Sequence, residues 1–517
     1  MSQTSAENHD EPVPDSVIPH KHLPPLKYRD LPEAISWTRM IGPSIMLAGL
    51  SLGSGEFVLW PYIVYKAGFI FFWACMLGVV TQYFLNMEIE RWTLLTGESA
   101  ITGFCRLSPQ WAWIMLLLNI IPWAWPGWAT GAGTMLSWMI FGPEEVVEAG
   151  QVTYRAHYSS WFAIGGLILV GVVLTAGPVV YNTVEKIQTF LVGIVLALVV
   201  LVSFLVIRPD AVVAMAGGIG NVGQMPDFDA SGLSLMMLLG ALAFAGAGGS
   251  TNLGQSNFIK DKGYGMGQYI GRITSPLTGQ EEATAEVGYH FPHTPENMQR
   301  WRAWWRAANI EHFWSFFVTC AVCLCLMALV SYSLFRDASG ELRPGMERFG
   351  GGMNFIWGQA TVLSGMPSGT LLRFAFLVAG IAILLTTELG VLDVVARVST
   401  DIVKVNYLRD SEFWSLSRLY FLFLWGEIVL GIAIIGVGLD EPLLLLTITA
   451  AMNGGVMFLY SLILLYMNNK VLSRSLSMSP VRFVAIVWSC AFFGYFTIQA
   501  MRIEVLPYLS NLLSGSP

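Results

Sequence analysis

Between residues 39 and 506 the chain repeats one unit about eleven times: an apolar stretch of spanning length, closed at each end by charged or Pro/Gly-rich residues. The stretches fall at 39–66, 69–95, 109–140, 160–177, 184–207, 232–259, 309–334, 368–399, 415–437, 441–467 and 481–506. A helix of about 20 apolar residues crosses a bilayer, and it satisfies its own backbone groups, as lipid requires. The fold class this predicts is an all-α polytopic membrane protein with about eleven transmembrane helices. Composition agrees: the chain is 54% hydrophobic and 12% charged, with a mean hydropathy of +0.58, values outside the range of soluble domains. The expected partners are the lipid bilayer and a small ion or solute, with no nucleic acid. No cofactor is called for, and sequence leaves the oligomeric state open.

Charge fixes the expected orientation. With the N-terminus inside, most Lys and Arg of the connections fall on the cytoplasmic side, while Lys66, Arg155, Arg208, Arg336, Arg343, Arg348, Arg373 and Arg502 fall outside. The positive-inside rule therefore favours a cytoplasmic N-terminus in a plasma (inner) membrane. Residues 1–36 read as a polar cytoplasmic tail without a core of its own and not as a signal peptide. The expected layout is then a first five-helix repeat over 37–207, an external connection and sixth span over 208–260, and a long cytoplasmic loop over 261–308. The second repeat continues over 309–470, followed by the last helix and C-terminus at 471–517. The loop carries Arg272 and the tract Arg300–Arg306, whose alternating Trp and Arg read as an interfacial helix. His290 and His293 lie in the same loop without a carboxylate cluster that would complete a metal site. The six cysteines show neither disulfide nor zinc spacing and read as packing residues.

Two spans carry glycine clusters that helices tolerate poorly. The first contains Gly53-Ser54-Gly55-Glu56, and the sixth contains Gly246-Ala247-Gly248-Gly249-Ser250-Thr251. Interrupted helices at corresponding positions of two halves point to an inverted repeat with its binding site where the breaks meet. The expectation is a 5+5 inverted repeat with discontinuous helices 1 and 6. The plain alternative is that the glycines only let helices pack closely.

Five short stretches carry a resemblance: Gly42-Pro43, Thr96-Gly97-Glu98-Ser99, Tyr181 through Glu185-Lys186, Asn252-Leu253 and Asn468-Asn469-Lys470. In these the chain resembles the Nramp (natural resistance-associated macrophage protein) family of divalent-metal transporters. That family belongs to the amino acid, polyamine and organocation superfamily and has the LeuT-type fold. The resemblance implies alternating-access transport, with the first break reading Gly53 to Glu56 where the family has Asp-Pro-Gly-Asn. Its Met-Pro-His in span 6 falls on Gly249-Ser250-Thr251, and its span 10 glutamine on Asn453. The acids of its proton route fall on Trp125 and Trp128, which implies a dry span 3 face.

The expected substrate site is therefore Leu50, Gly53, Ser54, Glu56, Gly246, Gly249, Ser250, Thr251 and Asn453, with Glu56 and Asn453 as metal ligands. One carboxylate among neutral oxygens, with no sulfur, suits a hard or hydrated divalent ion such as magnesium or manganese. The coupling ion is unknown. An amino acid or other small organic solute remains open, because Gly-Ser-Gly at a helix break can present free amides to a substrate carboxylate. A transporter-like sensor also remains open. An enzyme is not expected, since no Ser-His-acid cluster can be placed. In span 8, Asp393 and Arg397 stand four apart and read as a structural ion pair, whereas Glu388 has no local partner and is a candidate relay. Glu427 in span 9 reads as a scaffold contact.

Overall fold

The computed structural model describes residues 11–148, 151–176, 180–271, 273 and 288–507, excepting the side chains of Thr38, Ser54, Glu148 and Gln151. Among the described residues, eight helices are long and apolar enough to cross a membrane: Pro43–Ala67, Ser159–Ala176, Val180–Val206, Pro295–Phe335, Gly369–Asn406, Leu416–Gly436, Pro442–Val471 and Pro480–Val505. These are spans 1, 4, 5, 7, 8, 9, 10 and 11. Span 2 (Phe72–Thr96) is helical throughout but diluted by Gln82, Asn86, Glu88, Glu90 and Arg91. Spans 3 and 6 are each split into two shorter helices, Gln110–Ile120 with Gly127–Phe141 and Leu235–Ala243 with Gly249–Lys262. The chain is an all-α polytopic integral membrane protein. Spans 4 and 5 turn an apolar face outward, with only 28% and 33% of their most apolar windows buried, whereas span 1 is buried over its whole window. Span 1 is thus the axis of the molecule, packed against spans 5, 6, 7 and 8.

Span 1 differs from the sequence expectation. It is not interrupted at Gly53-Ser54-Gly55: it continues as a π-helical segment over Leu52–Leu59 and then as α-helix from Trp60. The glycines there serve close approach. A Cβ on Gly55 would lie 1.5 Å from the Phe244 carbonyl oxygen, and one on Gly53 2.4 Å from Thr387 Oγ1. Only span 6 of the two is broken, between Ala243 and Gly249. Span 3 is broken too, at Ile121–Trp123 and Pro126, where prolines remove the amides a continuous helix needs.

The long connection also differs. The Arg300–Arg306 tract is not a separate interfacial helix but the first turns of span 7, which runs unbroken from Pro295 to Phe335. Trp301 and Trp304 are buried, and Trp304 Nε1 donates to the Pro32 carbonyl at 2.8 Å. Its apolar face is taken by the N-terminal segment. That segment is no loose tail. Val13, Ile18, Leu23, Leu26 and Leu31 are buried, and Lys27–Tyr28 pairs in parallel with Tyr289–His290. Arg106, itself paired with Glu98, donates to the carbonyls of Pro19 and Pro24. Arg272 lies outside the described residues. His290 and His293 stand with ring centroids 5.7 Å apart, and no group of three or more metal-ligating side chains occurs among the described residues.

Candidate functional site

The break in span 6 is held open by its neighbours. Gly248 (φ +76°) and Gly249 (φ +57°) take left-handed backbone that side chains disfavour. The groups freed there are satisfied by Gln82 of span 2. Gln82 Nε2 donates to the Ala243 carbonyl at 2.8 Å, and the Gly248 amide donates back to Gln82 Oε1 at 3.2 Å. Asn252 Nδ2 donates to the same oxygen at 3.3 Å and to Tyr460 OH at 3.0 Å. Gln82 was missed in the sequence, where a lone glutamine in an apolar helix carries no spacing signal. Thr251 bonds its own helix at Ala247 O, 3.1 Å away.

The second half of span 6 is pinned to spans 3 and 10. The Ser250 amide donates to Asn453 Oδ1 at 3.4 Å, and a side chain on Gly249 would run into Asn453. Ser250 Oγ donates to Asn119 Oδ1 and accepts from Trp123 Nε1, both at 2.8 Å. Trp123 stacks on Trp128 and on Phe244, with centroids 5.6 and 5.7 Å apart. The aromatic face of span 3 therefore closes directly over the break.

Glu56 faces elsewhere. It is 1% exposed, the neutral Ser51 and Cys320 are within reach of its carboxylate, and no hydrogen bond joins it to Asn453 among the described residues. Its electrostatic neighbours are Cys320 and Cys323 of span 7 and Cys75 of span 2. Ser51 reaches Cys320 at 3.0 Å. Helical phase sets the direction of the acid: Gly55 touches span 6 and Gly53 touches span 8, and the side chain of Glu56 is turned toward spans 2 and 7. The thiols expected only to pack lie beside the acid, so sulfur is not absent from the site. Leu50 sits within the unbroken helix, against Gly390 of span 8. Gly246 lies at the break, against Gln82 and Phe316. The side chain of Ser54 lies outside the described residues.

Span 8 turns Thr387 to the site, where its hydroxyl donates to Gly49 O at 3.3 Å and accepts from the Gly53 amide at 3.1 Å. Glu388, one residue on, is carried round to the other side, toward the Ala129 amide of span 3 and Glu427 of span 9. Ala129 stands in the first turn of the second half of span 3, where amides lack helical partners. The candidate relay is therefore placed at a helix end, away from Glu56. Arg397 Nη2 bonds Asp393 Oδ1 at 2.8 Å, and the guanidinium also meets Asp261 of span 6.

No family model matches the sequence, and no curated protein does. Solved structures do. Two single-residue mutants of the Eremococcus coleocola manganese transporter each match with a TM-score of 0.61 at 13% identity, over 94% of this chain and 91% of theirs. The same transporter in complex with an aromatic bis-isothiourea substituted compound matches with a TM-score of 0.58 at 10% identity, over 100% of this chain and 93% of that one. In fold, the chain is similar to a manganese transporter. It has the Nramp-like architecture that the resemblance implies, and the likeness extends over nearly the whole chain.

Proposed function

We propose that the protein is a secondary transporter that moves divalent metal cations across the membrane by alternating access. The observation that carries this reading is the Glu56 carboxylate: buried, with the neutral Ser51 and Cys320 as its neighbours and no cationic side chain beside it among the described residues, on the span that touches the broken helix. A carboxylate in such surroundings is costly unless a cation or a proton joins it. Ser51 and the three thiols nearby are neutral groups, which leaves the counter-charge to the cargo. Fold likeness to a manganese transporter supports the class. A hard or hydrated ion such as magnesium or manganese is favoured by the oxygen donors. Of the two, manganese better tolerates the sulfur of Cys320 and Cys323. Asn453, held by Ser250 and by Thr449 O at 3.0 Å, stands at the break in span 6. The N-terminal face is cytoplasmic on this reading, in keeping with the distribution of Lys and Arg.

An organic or amino-acid solute is less well supported. Span 1 stays helical through Gly53-Ser54-Gly55, so the free amides that would hold a substrate carboxylate are not presented. In proteoliposomes, uptake of manganese or magnesium is expected, with loss of uptake in Glu56→Gln. Unchanged uptake in that mutant would remove Glu56 from the route. Thermal stabilisation by amino acids but not by either ion would overturn the cation reading. Binding without turnover in liposomes would mark a sensor instead.

A further inference from the structure

Below the break, toward the N-terminal face, spans 1, 2, 6 and 7 share a second polar cluster. Ser44, Glu90, Gln255, Glu311 and His312 are each at most 2% exposed. Ser44 Oγ contacts Glu311 Oε2 and lies 2.8 Å from His312 Nδ1. Gln255 Nε2 lies 3.3 Å from the same Nδ1 and 3.4 Å from Glu90 Oε2. Glu311 Oε1, His312 Nε2 and Gln255 Oε1 have no hydrogen-bond partner. The imidazole is stacked between Phe316 and Tyr83, at 4.8 and 5.7 Å. Sequence had offered no Ser-His-acid grouping, and this one is no nucleophile, because one hydroxyl serves both partners in a sealed interior.

The cations near the two acids are shared with other groups. Arg482, beside Glu90, meets Glu88 at 3.3 Å and Asn309, and Glu88 is itself bound by Arg91 at 2.7 Å; Lys262, beside Glu311, is engaged by Glu185 at 2.5 Å. The other titratable groups facing the cluster, Tyr83, Tyr181 and Tyr264, are neutral phenols.

Proton counting then decides the state of the cluster. The Ser44 hydroxyl has one proton for two partners. If Nδ1 is bare, Ser44 donates to its one lone pair, the Gln255 amide nitrogen donates to Glu90, and the contact of Ser44 with Glu311 requires a proton on the carboxyl. If the amide is turned the other way, Nδ1–H donates and Ser44 serves Glu311. The amide oxygen then faces Glu90, which must carry the proton instead. Either arrangement needs one protonated carboxyl.

We propose that this cluster is a proton-binding site that controls opening of the N-terminal face. Ser44 is the second residue of span 1, and opening there separates it from span 7. Water then reaches Glu311 and Glu90, and the proton leaves to it. The closed state binds the proton and the open state does not, so acid favours closure and alkali favours opening, by up to about tenfold per pH unit for one linked proton. The proposal rests on alternating access, and it holds for any cargo.

Two measurements on the full chain in lipid test it. Infrared difference spectra at neutral pH, wild type minus Glu311→Gln and wild type minus Glu90→Gln, are expected to show a carboxylic acid C=O band in one of them, the buried Glu56, Glu388 and Glu427 cancelling in the difference. Hydrogen exchange of the peptide Pro43–Ser51, corrected for intrinsic rates, is expected to quicken from pH 6 to 8.5. In Glu311→Gln, whose amide resembles the neutral acid, it should stay slow and flat. No such band in either difference spectrum, or pH-independent exchange in the wild type, overturns the proposal. Neither readout requires cation uptake, so failure of the transport reading remains distinguishable. Melting temperature serves as the folding control, and Glu90→Gln stands in if Glu311→Gln does not fold.

Discussion

Gly55 shows how a single hydrogen side chain sets the geometry of the site. Its backbone meets the Phe244 carbonyl so closely that a methyl group would overlap it, and neither backbone can yield cheaply. Gly55→Ala is expected to destabilise by at least about 1–3 kcal/mol, read as a lowered melting temperature in detergent. Gly426 offers the contrast. It is helical, in span 9, with nothing within 4 Å of where a Cβ would stand, so Gly426→Ala should stabilise by about 0.5–1 kcal/mol. The two glycines look alike in sequence. What distinguishes them is a neighbour far along the chain, which is why the glycine cluster of span 1 reads as a break and is found to be a contact. Glu56 is similar: its burial in an apolar span was legible, but the direction of its side chain depends on which faces Gly53 and Gly55 surrender to spans 8 and 6.

Among the elements, the broken span 6 depends on a helix other than its own. Gln82 supplies both the donor and the acceptor that the break requires, and Gln82→Leu would leave the Ala243 carbonyl and Gly248 amide unpaired inside the protein. Each such group costs about 1–3 kcal/mol. On the proposed function, the expected result is a folded but less stable protein with impaired uptake, whereas Gln82→Glu should impair uptake with a different pH profile. Thermal melting paired with liposome flux checks both. Of the eleven spans read from hydropathy, eight are helices long and apolar enough to cross a membrane among the described residues. The split in span 3 was also signalled, by Pro122 and Pro126, yet an apolar window passes over it. The amphipathic character of the Trp and Arg tract was real, but periodicity does not say whether an apolar face meets lipid or protein. Here it meets residues 30–32 of the same chain.

In the whole molecule, most of the residues that carry the family resemblance gather at the N-terminal face, and Asn252, bonded to Gln82 at the break, is the exception. Glu98 pairs with Arg106, Glu185 with Lys262, and Asn468 Nδ2 donates to the Glu88 carbonyl at 2.9 Å. That explains how the fold could be recognised while the ligands could not: most of the shared residues hold the N-terminal face together. The same face has a titratable fastener. Burial pushes His290 down to about 4 from 6.5, against a 3.3 Å contact with the Leu95 carbonyl that raises it. An unfolded segment therefore binds a proton at a higher pH than the docked one. The docking stability is complete above pH 6.5 and is lost as pH falls toward about 4. Limited proteolysis of the N-terminal segment is expected to quicken over that interval in the wild type and to be insensitive to it in His290→Phe.

The parallel pairing of Lys27–Tyr28 with Tyr289–His290 has a consequence for biogenesis. The N-terminal strand leaves the ribosome first, but its partner does not exist until more than half of the chain has been made. At about 5–20 residues per second, the wait is roughly 13 to 52 s. Throughout it, Val13, Ile18, Leu23, Leu26 and Leu31 have no complete surface to cover them. Six spans can enter the membrane before that segment finds its place, so its docking is a late act of assembly that also reports that span 7 has arrived.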